Sequence, residues 1–368
     1  MSTTLVTLLA LVASASGCTN FHYDVNNETI IGRTMELGQS ELAPLWTFVA
    51  HPRGSVRRPE NRLGFVSIDI APPETVLGGI PTASDGMNEA GLTISVQVLQ
   101  QSEYEDARAA DADDARAPLD FGAVAALVLG CCGTVDEAVA AVRARRIVGN
   151  ALPAGARMHW MVHDAAGGAL VLEFLGGALA VFNNSVGVAT NDPDYTWQLR
   201  HLNMYANLAP TWPDASSFAV ETAEVGAVPN AVGHSFNLRG LPGAFTAPDR
   251  FARTFILKQH ALLNAPPRTR DAGIKLATGL LNGVHIERGA VPSDAAAAAA
   301  DFPYEFTHWA LIKLPRSREI LYRTYENMRW RRLKLSELAL DDPDATFEEL
   351  KMFEGDLGIQ DKTGAMRR

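Results

Sequence analysis

The sequence predicts an α+β domain built on mainly antiparallel sheets, and three observations carry that expectation. Strand-like segments come first, two adjacent helical segments follow, and the chain closes on a meander, a long helix and a hairpin. That order favours layered antiparallel sheets over alternating βαβ units. Turn residues recur between short apolar runs, as in "DAAGG", "LGG" and "NNS", at the spacing hairpins need. The 368 residues are 47% hydrophobic and 20% charged, which supplies one large core and departs from a disordered composition.

Residues 5–13 form an apolar run of signal-peptide length, followed by the small residues Ser14, Ala15, Ser16 and Gly17. The run is too short to cross a bilayer as a helix. Ala15 and Gly17 suit cleavage immediately before Cys18, a cut after Ala15 fits equally well, and the leading "MSTT" has no Lys or Arg. Residues 1–17 are thus expected to be a leader whose removal exposes Cys18 in an exported protein, periplasmic, extracellular or lumenal. "CTNFHY", the turn-rich "DVNNET" and "IIGRTMEL" then read as a hairpin. A turn centred on Val25-Asn26 places Cys18 opposite Arg33.

"LGFVSIDI" and "GLTISVQVL" continue as strands, the second entered through the turn "SDGMNEAG". Residues 102–117 read as an exposed loop or the approach to a helix. "PLDFGAVAALVLG" and "TVDEAVAAVRARRIV" read as two helices, the second with Thr134 as N-cap and acidic residues in its first turn. From Arg157 a local antiparallel meander is expected through "RMHWMVH", "ALVLEF", "ALAVF" and "VGVAT". Residues 194–206 look helical, and "APDRFARTFILKQHALLNA" is a helix with Pro248 and Asp249 at its start. "SDAAAAAADFP" reads as loop, and "HWALIKLPRSREILYRTYE" as a hairpin turning at "PRSRE". One domain over residues 18–340 is expected, with 341–368 an acidic tail or helix outside the core.

Several functions are disfavoured. A net charge of -10 with scattered Lys and Arg offers no basic face for nucleic acid. No later segment is long and apolar enough for a membrane span. The chain has no G-x-S-x-G elbow, P-loop or G-x-G-x-x-G fingerprint. His159 and His163 share a strand face but lie about 13 Å apart, too far to share a metal, and no cofactor is expected. Cys131 and Cys132, beside a helix boundary, read as packing residues.

Cys18 is different. Cleavage after Gly17 would put an α-amine of pKa ~7.7–8.0 on the residue that carries the thiol, so nucleophile and general base come together. Arg33 nearby would stabilise the thiolate and the developing anion. Glu36, in the same strand, is the candidate carboxylate to orient the amine, and Asp24 and Glu28 are less well placed.

These residues resemble the choloylglycine hydrolase and penicillin V acylase family of N-terminal-nucleophile hydrolases. "CTNF" resembles its cysteine start, "GRTMEL" its G-R-N-[LM]-D block and "DGMNEAGLTIS" its N-E-x-G-L turn. "TNDPDYTWQLRHL", "GLPGAFTAPDRFAR" and "ILYRTYEN" are similar to later family blocks, in order, so the resemblance runs from Cys18 to about Glu326. It implies a four-layer αββα sandwich in which Cys18 attacks a linear amide of an N-acylated small molecule and passes through a thioester. It further implies that Arg33 contacts the thiol and that Asn191 donates its side-chain amide to the oxyanion. The backbone N–H of Val98 would be the second oxyanion donor, and Arg250 would support the site near Cys18. Asn191 is also a turn initiator before Asp192-Pro193.

The chain departs from the family in two places. Glu36 stands where the family has Asp, and Val98 where bile-salt hydrolases commonly carry Asn and penicillin acylases Tyr. Conjugated bile acids, phenoxyacetyl penicillin, acyl-homoserine lactones and fatty acyl amides stay open as substrates. Two other readings compete. "ASGC" resembles a lipobox end with Ala15 in place of Leu, which would make a lipid-anchored binding protein, and Glu36 is compatible with an inactive homologue. A homo-oligomer is common in the family. Asn27 and Asn183 lie in N-x-S/T sequons.

Overall fold

The computed structural model describes residues 17–38, 40–55, 60–70, 83–105, 114–149, 157–209, 211, 221–222, 226–227, 236–292 and 304–353. The leader expectation for residues 1–16, the alanine-rich loop and the last fifteen or so positions fall outside them.

The strands begin with β1 (Cys18–Val25), β2 (Glu28–Leu37), β3 (Trp46–His51), β4 (Phe65–Ile70), β5 (Asp85–Asn88) and β6 (Thr93–Val98). Next come β7 (Ala117–Asp120), β8 (Arg145–Val148), β9 (Met158–His163), β10 (Ala169–Leu175), β11 (Ala178–Asn183) and β12 (Val188–Ala189). The short β13 (Glu221–Thr222), β14 (Gly226–Ala227) and β15 (Val291–Pro292) precede β16 (Tyr304–Leu314), β17 (Glu319–Thr324), β18 (Arg331–Lys334) and β19 (Leu350–Lys351). The helices are α1 (Val124–Cys131), α2 (Val135–Arg143), α3 (Tyr195–His201), α4 (Ala247–Asn264) and α5 (Arg270–Asn282).

Two antiparallel sheets form the centre. One runs β12-β1-β2-β16-β17-β18, with β15 on β16, and the other β11-β10-β9-β6-β5-β4-β3-β19. Each is buried on both faces, which requires a layer on each side. Cys18, Met35, Trp46, Phe48, Ile68, Met87 and Trp309 fill the space between the sheets. Phe251 of α4 and Ala277 and Leu281 of α5 pack on the outer face of the first sheet with Phe21, Tyr23 and Ile30. Val124, Val128 and Leu129 of α1 and Ala138 and Val142 of α2 cover the second sheet against Phe65, Ile94 and Trp160. The result is four layers, αββα.

Local sequence explains the helix starts. Thr134 caps α2 by accepting from Glu137 N, Asp194 caps α3 at Thr196 and Trp197 N, and Thr246 caps α4 at Asp249 N. Gly32 is required by a close approach, because a Cβ there would lie 2.2 Å from the Phe21 ring across the hairpin.

The structure also revises several element assignments. Residues 117–120 and 145–148 pair as a parallel ribbon at the ends of the two expected helices. In the meander, β9, β10 and β11 are neighbours, but Val188–Ala189 crosses to pair with β1 in the other sheet. Helix α5, to which the sequence reading gave no element, is capped by Thr269 at Ala272 N. The segment from 341 is expected outside the core, yet β19 pairs with β3, and Met352 is buried with the inter-sheet residues.

Candidate active site

β1 begins at Cys18, and strand alternation decides which side chains can meet it. Asn20 reaches Ser95 Oγ in the second sheet at 3.1 Å, so Cys18, two residues earlier, shares that inter-sheet face. Thr19 and Phe21 face the helices.

The hairpin register differs from the expected one by two residues. The turn lies at Asn26-Asn27, with Asn26 at φ 55, so Cys18 pairs with Met35 and Asn20 with Arg33. Asparagine tolerates that left-handed conformation, which fixes the turn there. A two-residue shift leaves every side chain on its face, so Arg33 still approaches the thiol. Cys18 Sγ lies 4.0 Å from Arg33 Nη2 and 3.7 Å from Met35 Sδ. Burial pushes the thiol pKa up, and the Arg33 charge partly opposes that by favouring thiolate.

Arg33 is fully buried and needs a counter-charge. Its Nη1 meets Asp85 Oδ2 at 2.7 Å, and Nη2 donates to Val96 O. Asp85 also accepts from Ser95 Oγ at 2.7 Å and from Lys313 Nζ at 2.6 Å. Burial lowers the Lys313 pKa, while Asp85 holds it up. Sequence reasoning missed this group. It read Asp85 as part of a turn, although a lone lysine in the apolar run "ALIKL" is itself a sign of a buried ion pair.

Asn191 and Arg250 hold the backbone of Cys18. Asn191 Oδ1 accepts from Cys18 N at 2.6 Å and from Arg250 Nη2 at 3.0 Å, and its Nδ2 donates to Val98 O at 2.9 Å. The guanidinium can only donate, which fixes the orientation of the Asn191 amide. Arg250 Nη1 donates to Cys18 O at 2.6 Å and to Thr19 Oγ1 at 2.7 Å. This accounts for a cation in the first turn of α4, where the helix dipole opposes it. Thus Asn191, expected as an oxyanion donor, has one Nδ2 hydrogen committed to Val98, and the group that Val98 turns to it is the carbonyl.

Glu36 does not meet the Cys18 nitrogen. It lies on the helix side of the sheet, where Oε1 accepts from Thr307 Oγ1 at 2.8 Å and Oε2 from Thr34 Oγ1 at 3.0 Å. Burial raises its pKa to about 8, against the pull of Arg250. The contact to the Cys18 nitrogen expected of Glu36 is made by Asn191 Oδ1 instead. A second carboxylate, Glu305, accepts from Gly17 N, and burial raises its pKa as well. A Cβ on Gly17 would lie 2.7 Å from Glu305 Oε1 and 3.1 Å from Arg250 Nη2, so the residue before Cys18 sits in a close-fitting slot.

The histidines are occupied elsewhere. His159 Nδ1 meets Glu173 at 3.0 Å and Nε2 meets Thr190 O at 2.8 Å, while His163 Nε2 lies 3.2 Å from His22 Nδ1. Among the described residues no group of three or more His, Cys, Asp or Glu is placed to hold a metal ion, and no helix is long and apolar enough to cross a membrane.

Known proteins share this arrangement of strands. A variant conjugated bile acid hydrolase from Clostridium perfringens superposes with a TM-score of 0.74 at 22% identity, covering 93% of this chain and 99% of that one. Penicillin V acylase from Agrobacterium tumefaciens gives 0.65 at 21% identity, covering 91% of each. These likenesses establish the fold, a four-layer αββα sandwich. In sequence, the bile salt hydrolase/transferase of Clostridium perfringens (strain 13 / Type A) is 25% identical over 273 residues, 73% of this chain and 77% of the relative. The profile of the linear amide C-N hydrolases, choloylglycine hydrolase family, matches residues 18–348, beginning at the cysteine whose nitrogen, carbonyl and sulfur are all held. The chain belongs to that family of linear amide C-N hydrolases.

Proposed function

We propose that the protein hydrolyses the amide bond of an N-acylated small molecule, with Cys18 as nucleophile once the residues before it are removed. The observation that carries this reading is the joint hold on Cys18, with Asn191 Oδ1 on its nitrogen, Arg250 on its carbonyl and Arg33 4.0 Å from its sulfur. In this reading the freed α-amine accepts the thiol proton, and Arg33 favours the thiolate that results. Sulfur bonds to the substrate carbonyl carbon, and the second Nδ2 hydrogen of Asn191 and the Val98 N–H face the oxyanion. The C–N bond then breaks, and the leaving amine takes the proton held by the α-ammonium. Water attacks the thioester, releasing the acid and restoring the thiol.

The acyl group would lie between the sheets, near Met35 and Leu37, which line that space with other apolar residues. The names of the relatives support an N-acyl amide, and conjugated bile acids, phenoxyacetyl penicillin, acyl-homoserine lactones and fatty acyl amides are the panel to test. The reading includes export, with residues 5–13 as the core of a leader.

The test starts with the intact mass of protein from a secreting host, followed by the amide panel on the chain that begins at Cys18. Turnover of at least one amide is expected, falling at least about a thousandfold in Cys18→Ala. No turnover of any amide, or full activity in Cys18→Ala, would refute the proposal.

A further inference from the structure

Gln97 is 1% exposed, and neither its Oε1 nor its Nε2 has a hydrogen-bond partner among the described residues. An amide buried in that state pays a desolvation cost at each unsatisfied group, so its retention calls for an occupant.

Its position follows from the strands. On β6, Ser95 faces the first sheet, where it meets Asn20, and Gln97 lies on the same face two residues further along. Thr93, two residues before Ser95, pairs with His163, which touches His22. Each two-residue step along β6 therefore moves two residues back along β1, from His22 to Asn20 and then to Cys18. The neighbours of Gln97 agree with this placement, since Val96 O holds Arg33 and Val98 O holds Asn191. His159, opposite Gln97 in β9, has both ring nitrogens engaged and cannot serve it. Asn20 Oδ1, on the same face of β1, is also buried without a partner among the described residues.

Resting on the amidase reading, we propose that Gln97 is a specificity residue that hydrogen-bonds an oxygen carried on the second or third carbon of the substrate's acyl group. The acyl side is chosen because Gln97 faces the buried inter-sheet space that holds the Cys18 sulfur, where the thioester remains after the amine has left. An acyl group bearing an ether, hydroxyl or keto oxygen there accepts a hydrogen bond from Gln97 Nε2. A plain alkyl chain leaves the amide unpaired, and a site of that kind discriminates strongly against the analogue that lacks the polar group.

The experiment compares kcat/KM for two amides with one leaving group, N-octanoyl glycine and N-(3-oxooctanoyl) glycine, joined by phenoxyacetyl glycine for an oxygen on the second carbon. Wild-type protein beginning at Cys18 is expected to favour an oxygenated acyl group by about 10- to 100-fold. In Gln97→Leu and Gln97→Met that ratio is expected to fall at least about tenfold, while plain-chain turnover persists. A structural role would lower both substrates alike and leave the ratio in place. Inhibition of the wild type by the free product acids gives the same comparison without any variant, and the oxygenated acid is expected to bind more tightly. Amide turnover with an equal preference for plain and oxygenated acyl groups, or a ratio unchanged by both substitutions, overturns the role of Gln97 alone. Absence of any amide turnover overturns the amidase reading and this proposal with it.

Discussion

Replacing Asp85 by Asn removes the one negative charge that meets both Arg33 and Lys313 while keeping side-chain size. The wild-type carboxylate accepts from Arg33 Nη1, Ser95 Oγ and Lys313 Nζ, all within 2.7 Å, at groups with no solvent exposure. Breaking a buried ion pair by removing one partner costs about 3–5 kcal/mol, because the charge left behind keeps its desolvation penalty. Asp85→Asn is expected to lower the unfolding free energy by that amount. Lys313→Met costs less, about 1–2 kcal/mol, since Asp85 keeps Arg33. The double variant leaves one unbalanced cation, Arg33, where Asp85→Asn alone leaves two, so the combined loss should fall short of the sum by about 1–3 kcal/mol. Urea denaturation of the full chain at pH 7, followed by circular dichroism with an unchanged slope, measures all three differences. Additivity within about 0.5 kcal/mol would show that the two residues do not share a charge and would refute the argument.

Two further outcomes test the surroundings of Cys18. Glu36 is protonated up to about pH 8 when folded but ionises from its ordinary value of 4.5 when unfolded. The unfolded state therefore loses the proton first, and stability should fall as pH rises between those values, by at most about 5 kcal/mol from this group. Glu36→Gln should flatten the dependence in protein that retains Gly17, and an identical pH profile in both forms would count against the assignment. Gly17→Val should destabilise the uncut chain by about 1–3 kcal/mol through overpacking, with much of the loss recovered when Glu305→Ala is added. Equal melting of Gly17→Val and wild type would mean that the slot is not closed as described.

Much of this arrangement is legible in the sequence because short-range signals write it. Cys18, Arg33, Asn191 and Arg250 could be assembled from ordered motifs, and the structure brings them together around Cys18. The helix starts were legible where Thr or Asp caps precede acidic first turns. What escaped depends on pairing between distant segments. The two-residue register error arose because "DVNNET" contains two asparagines and only the fold shows which adopts positive φ. Glu36 was read as amine-facing from proximity in sequence, yet strand alternation places it on the far side of the sheet from the thiol. Asp85, Lys313 and Glu305 reach the site from other strands, and no local pattern joins them to Cys18.

Glu305 accepts from Gly17 N just before Cys18, Glu36 lies close enough to feel the Glu305 charge, and burial raises both pKa values in the chain that still carries Gly17. Cutting that junction would place a new ammonium next to the position where Glu305 now holds Gly17 N, and an opposite charge nearby favours an ionised carboxylate. Maturation would then add a cation to that of Arg250, which already draws on both carboxylates in the uncut fold. The precursor and the enzyme would differ in electrostatic balance as well as in length, with the cut form gaining its advantage most where the solution is neutral. A chain matured in this way would become harder to unfold at the moment it becomes able to react.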